Sequence, residues 1–537
     1  MKPLVVLVNP LVGDPYEFTR DKRPLPLGLL GVAAAIQGRC ECVLVDQRMT
    51  PDWERKLGAL LQRGPLMVGM HVMGGSQIRP GIALSRWIKR RCDAPLVWGG
   101  AFGSFAPEIV LGEPTVDIVA RGEGETVAPA LVAALENGSD LRDVQGIAYR
   151  NNADVELTSE PPLVELELLP ELPYEMLDLR NYDWSAGVNV RDDRLKLQIE
   201  TSRGCLGRCV FCYNPFVNRS SWRAQSAQRT LERITHLVKD LGAGQLDLID
   251  DSYFEDLQRV SAVAQGMIER GAAVPHLING GKVGPLLQMS EQELELLARA
   301  GCEVIHIGAE SGSDRVLQLM GKDSSVEQIR QVNLKLGTAG IAPSFYFMAG
   351  MPGESDADLD ASMALMIELT RDNPLTKIVA SFVFTPYPRT PGYDLALRHG
   401  LRPPSDLRAW SRFDSVRTEQ GWLSPRMRRR AKRLFFYVIW IDRKVEDLSP
   451  SPLVRLVAGL FRIPARRRLE HAWLGLPLEM WIGKLGLGCQ RMLARLGRTL
   501  RRRVTRTSVG PCETQSVTQR SAVNIGSSMA EDRRAAQ

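Results

Sequence analysis

Short, largely apolar runs separated by glycine-containing loops recur through the first part of the chain: Leu4 to Val8, Cys42 to Val45, Met67 to Val72, Pro95 to Trp98 and Val116 to Val119. Each has the length of a strand and no polar alternation, the pattern of strands covered on both faces. Between them lie helical candidates, Leu27 to Ile36, Trp53 to Gln62, Ile78 to Arg91 and Thr126 to Glu136. The alternation predicts a doubly wound, Rossmann-like α/β unit over residues 1–150, whose ligands sit beyond the carboxyl ends of the strands. The loops there are rich in glycine: Met73-Gly-Gly-Ser76, Gly99-Gly-Ala-Phe102 and Arg121-Gly-Glu-Gly-Glu125. Glycine allows tight turns and also close approach of backbone to a ligand, and both readings stand. No GxGxxG fingerprint is present, which weakens a dinucleotide reading.

Residues 151–195 change texture to proline and acidic residues with little periodicity, and read as an ordered connector. Alternation resumes over 196–400. Strands are expected at Leu197 to Glu200, Leu246 to Ile249, His276 to Asn279, Val304 to Ile307, Ser344 to Met348 and Val379 to Phe384. Helices are expected at Gln228 to Leu241, Glu291 to Ala300, Ser325 to Ala339 and Asp356 to Arg371. That is the pattern of a curved parallel sheet, a partial (β/α)6 barrel. Residues 401–503 predict amphipathic helices with basic faces, and 504–537, rich in Ser, Thr, Gln and charge, predict a disordered tail.

At 537 residues the chain exceeds one ordinary core. Its net charge of +6 is mild and concentrated in arginine runs near the end, so a nucleic-acid footprint is not indicated. The start, MKPLVVLVNP, reads as a buried strand and not a signal peptide, which predicts a cytoplasmic protein with reduced thiols.

Among nine cysteines, three are clustered as Cys205-x3-Cys209-x2-Cys212. Thiolates suit iron-sulfur clusters, and a [4Fe-4S] cube has four irons to ligate. Three cysteines therefore leave one iron open for another molecule. A zinc site wants a fourth Cys or His, and the nearest histidine, His236, falls in a helical run. A redox pair Cys209–Cys212 leaves Cys205 unexplained.

This loop resembles the hallmark of the radical S-adenosylmethionine (radical SAM) superfamily, and later features fall in that family's order. Phe211 matches the aromatic beside adenine; Asp250 and Asp251 end the second strand, where the family binds the methionine amine. His306-Ile-Gly-Ala-Glu-Ser-Gly312 resembles the fourth-strand motif, with Glu310 and Ser311 reaching ribose and methionine. Gly350-Met-Pro-Gly-Glu354 resembles the turn on the adenine side, through Gly350 and Gly353. Read without the resemblance, Asp250 is an N-cap, the two glycines are turn residues and Glu310 belongs to a buried ion pair. The resemblance implies a [4Fe-4S] cluster on Cys205, Cys209 and Cys212, reductive cleavage of S-adenosylmethionine and a 5'-deoxyadenosyl radical.

The first segment resembles the cobalamin-binding domain joined to such enzymes, through Pro24-Leu-Pro-Leu-Gly28, Val68-Gly-Met-His71, Trp98-Gly-Gly100, Asp117 to Glu125 and Gln145 to Tyr149. Gly99, Gly100, Gly122, Glu123, Gly124 and Glu125 are then expected to line the cofactor. The family's DxHxxG motif is replaced here by Asp46-Gln-Arg-Met-Thr-Pro51. His71 reads as a core or loop histidine, so binding is expected through loop backbone, with no histidine on cobalt.

The resemblance implies a cobalamin-dependent C-methyltransferase acting on a small-molecule or lipid-like substrate. The alternatives are an oxidative cyclase or rearrangement enzyme with the same cofactors, and a non-catalytic corrinoid-binding protein. Flavodoxin or ferredoxin is the expected electron donor, and nucleic acid is not an expected partner. The basic runs Arg426 to Arg433 and Arg466 to Arg468 predict either a solvated helical cap or peripheral membrane contact.

Overall fold

Strand β1, Leu4–Asn9, is buried at all six positions, and that demand for cover on both faces organises the first sheet. In a computed structural model, which describes residues 2–12, 24–152, 154–182, 194–414, 421–438, 440–442 and 452–475, β1 lies between β2 (Glu41–Asp46) and β3 (Met67–His71). Beyond β3 follow β4 (Leu96–Gly99), β5 (Ile118–Ala120), β6 (Ile147–Asn151) and β7 (Asp154–Leu157). The order is β2-β1-β3-β4-β5-β6-β7. The first five strands are parallel, and β6 and β7 extend the sheet as an antiparallel hairpin. The hairpin strand β7 falls within the expected connector, which continues as short turns at Leu166–Leu168, Tyr174–Met176 and Leu179–Asn181.

The second sheet starts at β8 (Leu195–Ile199). A small antiparallel ribbon follows, β9 (Ser202–Gly204) with β10 (Trp222–Ala224). The remaining strands are β11 (Ala243–Leu248), β12 (His276–Gly281), β13 (Cys302–Glu310), β14 (Ala342–Ala349) and β15 (Lys377–Val383). All six main strands are parallel in the sequential order β15-β14-β13-β12-β11-β8, the half-barrel expected from the alternation. Three of its crossover helices start at capping boxes: Ser290 with Glu293, Ser325 with Gln328 and Ser355 with Asp358. The predicted helix Gln228 to Leu241 is α-helical over Ala227–Thr235 and closes in a π-turn, His236–Asp240.

Past the barrel, the helix Pro425–Val438 packs against β15. The basic faces expected here are partly turned inward. Arg430 is buried and paired with Asp356 and Asp360, while Arg433, Arg466 and Arg468 donate to the carbonyls of Leu474, Ile441 and Gly475. The helix Pro452–Glu470 exposes an apolar row, Leu456, Leu460 and Ile463, beside the charged Arg455 and Arg467. Among the described residues no helix is long and apolar enough to cross a membrane. The expected tail over 504–537 lies outside the described residues, as do Trp481, Cys489 and Cys512.

Candidate active site

The cysteine loop begins as β9 leaves the carboxyl end of β8, and the ribbon brackets it, because Gly204 faces Trp222 across the pair. Its far side is pinned by backbone: Val210 N–H donates to Met320 O at 2.9 Å, and Gly392 N–H to Val210 O at 2.7 Å. Two of the sulfurs close on Gly207. A side chain there would begin 3.3 Å from Cys205 Sγ, and 4.0 Å from both Cys209 Sγ and Lys282 Nζ. Backbone N–H groups point at two sulfurs, Gly207 to Cys205 at 3.3 Å and Asn214 to Cys212 at 3.4 Å. Burial raises all three thiols, Cys212 to about 12. Lys282 and Lys322 oppose the rise at Cys205 and Cys209, so the loop is arranged for negative sulfur once a cation offsets the burial. Among the described residues no three Cys, His, Asp or Glu side chains close on one point as a single ion requires.

Asp250 and Asp251 end up with different tasks. Asp250 is buried, and its oxygens accept from Thr201 N, Thr201 Oγ1 and Ser202 Oγ at 2.6, 2.6 and 2.7 Å. It holds the start of the loop. Asp251 accepts from Gly204 N at 2.9 Å and is exposed beside the cleft described below.

Glu310 closes β13 with φ = 65°, a left-handed conformation unusual for a residue with a side chain. Burial raises its carboxyl, and Lys322 Nζ stands 3.9 Å away. The next residue, Ser311, is buried with its hydroxyl 3.2 Å from Ser362 Oγ, which binds it into the turn. Gly350 and Gly353 take φ of 93° and 89°, and Glu354 ties the turn together by accepting from Gly350 N and Met351 N. Phe211, half-buried, packs on the apolar cluster that contains Met351 and Phe384. The barrel residues expected from sequence thus surround the carboxyl ends of the strands, with Asp250 and Ser311 engaged by protein groups.

A cleft of about 300 Å³ lies between that end and the carboxyl ends of the first sheet. Gly99, Gly100, Gly122 and Gly124 line it, as do Tyr213, Asn218 and Asp251 from the cysteine side. It continues along one face of the sheet to Met67 and Leu131, giving a polar mouth and an apolar slot. Gly100 is required there: at φ = 110° its Cβ would lie 2.6 Å from Val72 O. Glu123 and Glu125 also line the cleft, but their carboxylates are engaged by arginines. Arg203 donates to Glu123 at 2.9 Å and Glu125 at 2.7 Å, and Arg223 to Glu123 at 3.0 Å. Sequence reasoning missed Arg203, Lys282 and Lys322. Arg203 directly precedes Gly204-Cys205, but its acidic partners lie far away in sequence.

Residues 199–366 match the family model of the Radical SAM superfamily. The chain is 26% identical over 375 residues to an uncharacterized methyltransferase of Pyrococcus horikoshii, covering 68% of this chain and 78% of that protein. It is 23% identical over 394 residues to the anaerobic magnesium-protoporphyrin IX monomethyl ester cyclase of Synechocystis, covering 72% and 75%. The fold matches the radical S-adenosylmethionine methyltransferase TsrM of Kitasatospora setae, solved with cobalamin and a [4Fe-4S] cluster. That match has a TM-score of 0.63 at 17% identity and covers 88% of this chain and 100% of the other.

Proposed function

The chain carries a radical SAM domain over residues 199–366, and on that premise we propose that it is a cobalamin-dependent radical S-adenosylmethionine methyltransferase acting on an unactivated carbon of a small molecule. The observation that carries this reading is the cleft. It brings the glycine loops of the first sheet into one space with Arg203 and Tyr213, the residues that flank the cysteine loop. The residues fit both groups. Two sulfurs that close on Gly207 with the third on the same loop, and Lys282 and Lys322, which act on Cys205 and Cys209, suit a polynuclear anionic cluster. A polar mouth over an apolar slot suits a corrin whose amide-bearing rim stays wet while a tail enters the sheet domain.

In this reading Cys205, Cys209 and Cys212 hold the cluster and Glu310 receives a polar group of S-adenosylmethionine. Gly350 and Gly353 shape the adenine side, Phe211 packs near it, and the backbone of Gly99, Gly100, Gly122 and Gly124 supports the corrin. When bound, the groups supply what no side chain can: an electron that cleaves S-adenosylmethionine to a 5'-deoxyadenosyl radical, and a methyl group carried on cobalt. The chain's own part is positioning and exclusion of water. A small donor of the flavodoxin or ferredoxin kind supplies the electron. The domain division at about residue 195 belongs to the same proposal, as does a cytoplasmic location.

The test is anaerobic reconstitution with iron, sulfide and hydroxocobalamin. About four irons and about one corrinoid per chain, with 5'-deoxyadenosine formed and labelled methyl passing from S-adenosylmethionine to product, are expected. Absence of S-adenosylmethionine cleavage by a fully loaded protein overturns the reading. The similarity to the Synechocystis cyclase favours one alternative, oxidative cyclisation. In that case 5'-deoxyadenosine forms and no labelled methyl reaches product.

A further inference from the structure

The chain has six histidines, and only His71 lines the cleft. His276 and His306 are buried in β12 and β13, His236 pairs with Asp240 and His399 bonds Leu395 O. His471 follows the helix Pro452–Glu470. His71 is the last residue of β3, and in the order β2-β1-β3-β4 the connections reverse direction between β1 and β3. Ligands of open α/β sheets bind at such a reversal.

The ring is held by what is missing around it. A side chain at Gly28 would start 3.8 Å from its Nε2, and one at Gly100 would start 3.2 Å from its Cδ2. Two backbone segments thus bracket the imidazole, and among the described residues it has no hydrogen-bond partner. Burial, with the charge of Arg48, lowers its pKa to about 4, so near neutrality it offers a lone pair. The residues standing where a DxHxxG histidine would be are otherwise occupied. Gln47 Oε1 accepts from Leu11 N at 3.0 Å, and Arg48 binds Asp46 and Pro24 O.

We propose that His71 is the protein ligand to cobalt, on the corrin face turned toward the first sheet. This reverses the expectation that no histidine reaches the metal, and it rests on the cobalamin reading above. The step is a simple exchange. One neutral imidazole nitrogen forms a coordinate bond to cobalt and displaces axial water or the cofactor's own benzimidazole, with no change in electron count or protonation.

Electron paramagnetic resonance of the full chain loaded with cob(II)alamin tests this directly. Each cobalt line should be split into a triplet by one axial ¹⁴N, and the triplet should become a doublet when the protein is grown with ¹⁵N-histidine. The variant His71→Ala should retain iron and corrinoid and lose the splitting. A triplet unchanged by ¹⁵N-histidine assigns the nitrogen to benzimidazole, and an unsplit spectrum removes nitrogen altogether; either overturns the proposal. A chain that takes up iron and no corrinoid overturns it together with the cobalamin reading, an outcome distinct from the other two.

Discussion

Arg203 and Glu125 stand 78 residues apart in the chain and meet at 2.7 Å, Nη2 to Oε1. The arginine opens the cysteine loop; the glutamate begins the helix Gly124–Asn137 behind the first sheet's last parallel strand. Glu123 takes the other terminal nitrogen and Glu200 the Nε, so one cation gathers three carboxylates at the junction of the two sheets. The cluster loop and the glycine loops are thereby registered to each other before any cofactor arrives.

Removing the arginine leaves Glu125 buried without its cation and Glu123 with Arg223 alone. Losing one partner of a buried pair costs about 3–5 kcal/mol, far above a surface pair. Arg203→Ala should therefore melt several degrees lower and be cleaved faster by protease at the connector. Arg203→Lys should recover little, because an ammonium cannot bind three carboxylates in one planar fork. Thermal unfolding beside limited proteolysis checks this, and an alanine variant as stable as the parent would show the contact to be incidental.

Glu310 makes a different prediction because its conformation is costly. A non-glycine residue at φ = 65° with a buried carboxyl is held against strain and desolvation. Such arrangements persist where a ligand uses them. Glu310→Gln should leave the iron content of the reconstituted protein unchanged and weaken S-adenosylmethionine binding. A hydrogen bond to a charged group contributes roughly 1.5–3 kcal/mol, about 10- to 100-fold in Kd. Equilibrium dialysis with labelled S-adenosylmethionine measures it; equal Kd values would place the ligand elsewhere.

The exposed row Leu456, Leu460 and Ile463 is the apolar surface on which the expected peripheral membrane contact would rest, since Arg430, Arg433, Arg466 and Arg468 are turned into the protein. Contact through such a row depends on apolar insertion more than on lipid charge. Flotation should succeed with neutral as well as anionic vesicles and fail for Leu460→Glu. Loss of flotation only when anionic lipid is omitted would return the contact to the arginines.

These features differ in how far the chain announces them. Leu4–Asn9 and Met67–His71 are legible because burial on both faces forces unbroken apolar runs. The cysteine spacing is legible because a metal constrains neighbours within one loop. The hairpin strand Asp154–Leu157 escaped notice because an exposed edge strand tolerates charge and so lacks a pattern. Asp250 and Glu123 look like ligand groups in sequence; their partners Thr201 and Arg203 are neighbours only after folding. His71 was visible as a residue, but the bracket formed by Gly28 and Gly100 was not.

Glu354 gives a pH signature of the glycine turn. One carboxylate oxygen accepts from Gly350 N and Met351 N, while Oε1 is buried with no partner among the described residues. Burial is the largest influence and raises its pKa from an ordinary 4.5 to about 7, despite the opposing backbone bonds. The native state then keeps a proton that the unfolded chain releases, so stability falls as pH rises from about 4.5 to about 7. At about 1.4 kcal/mol per pKa unit the loss reaches about 3 kcal/mol. Asp358 works in the opposite sense, because its carboxyl is held low by Arg315, Ser313 and Ser355, and its contribution is lost only as pH drops below its ordinary 3.8. The two windows do not overlap. Denaturant titrations of the parent and Glu354→Gln at pH 5 and pH 7.5 isolate the effect. The parent should lose stability relative to the variant at the higher pH, and parallel behaviour would mean that Glu354 is ionised in the folded turn at both.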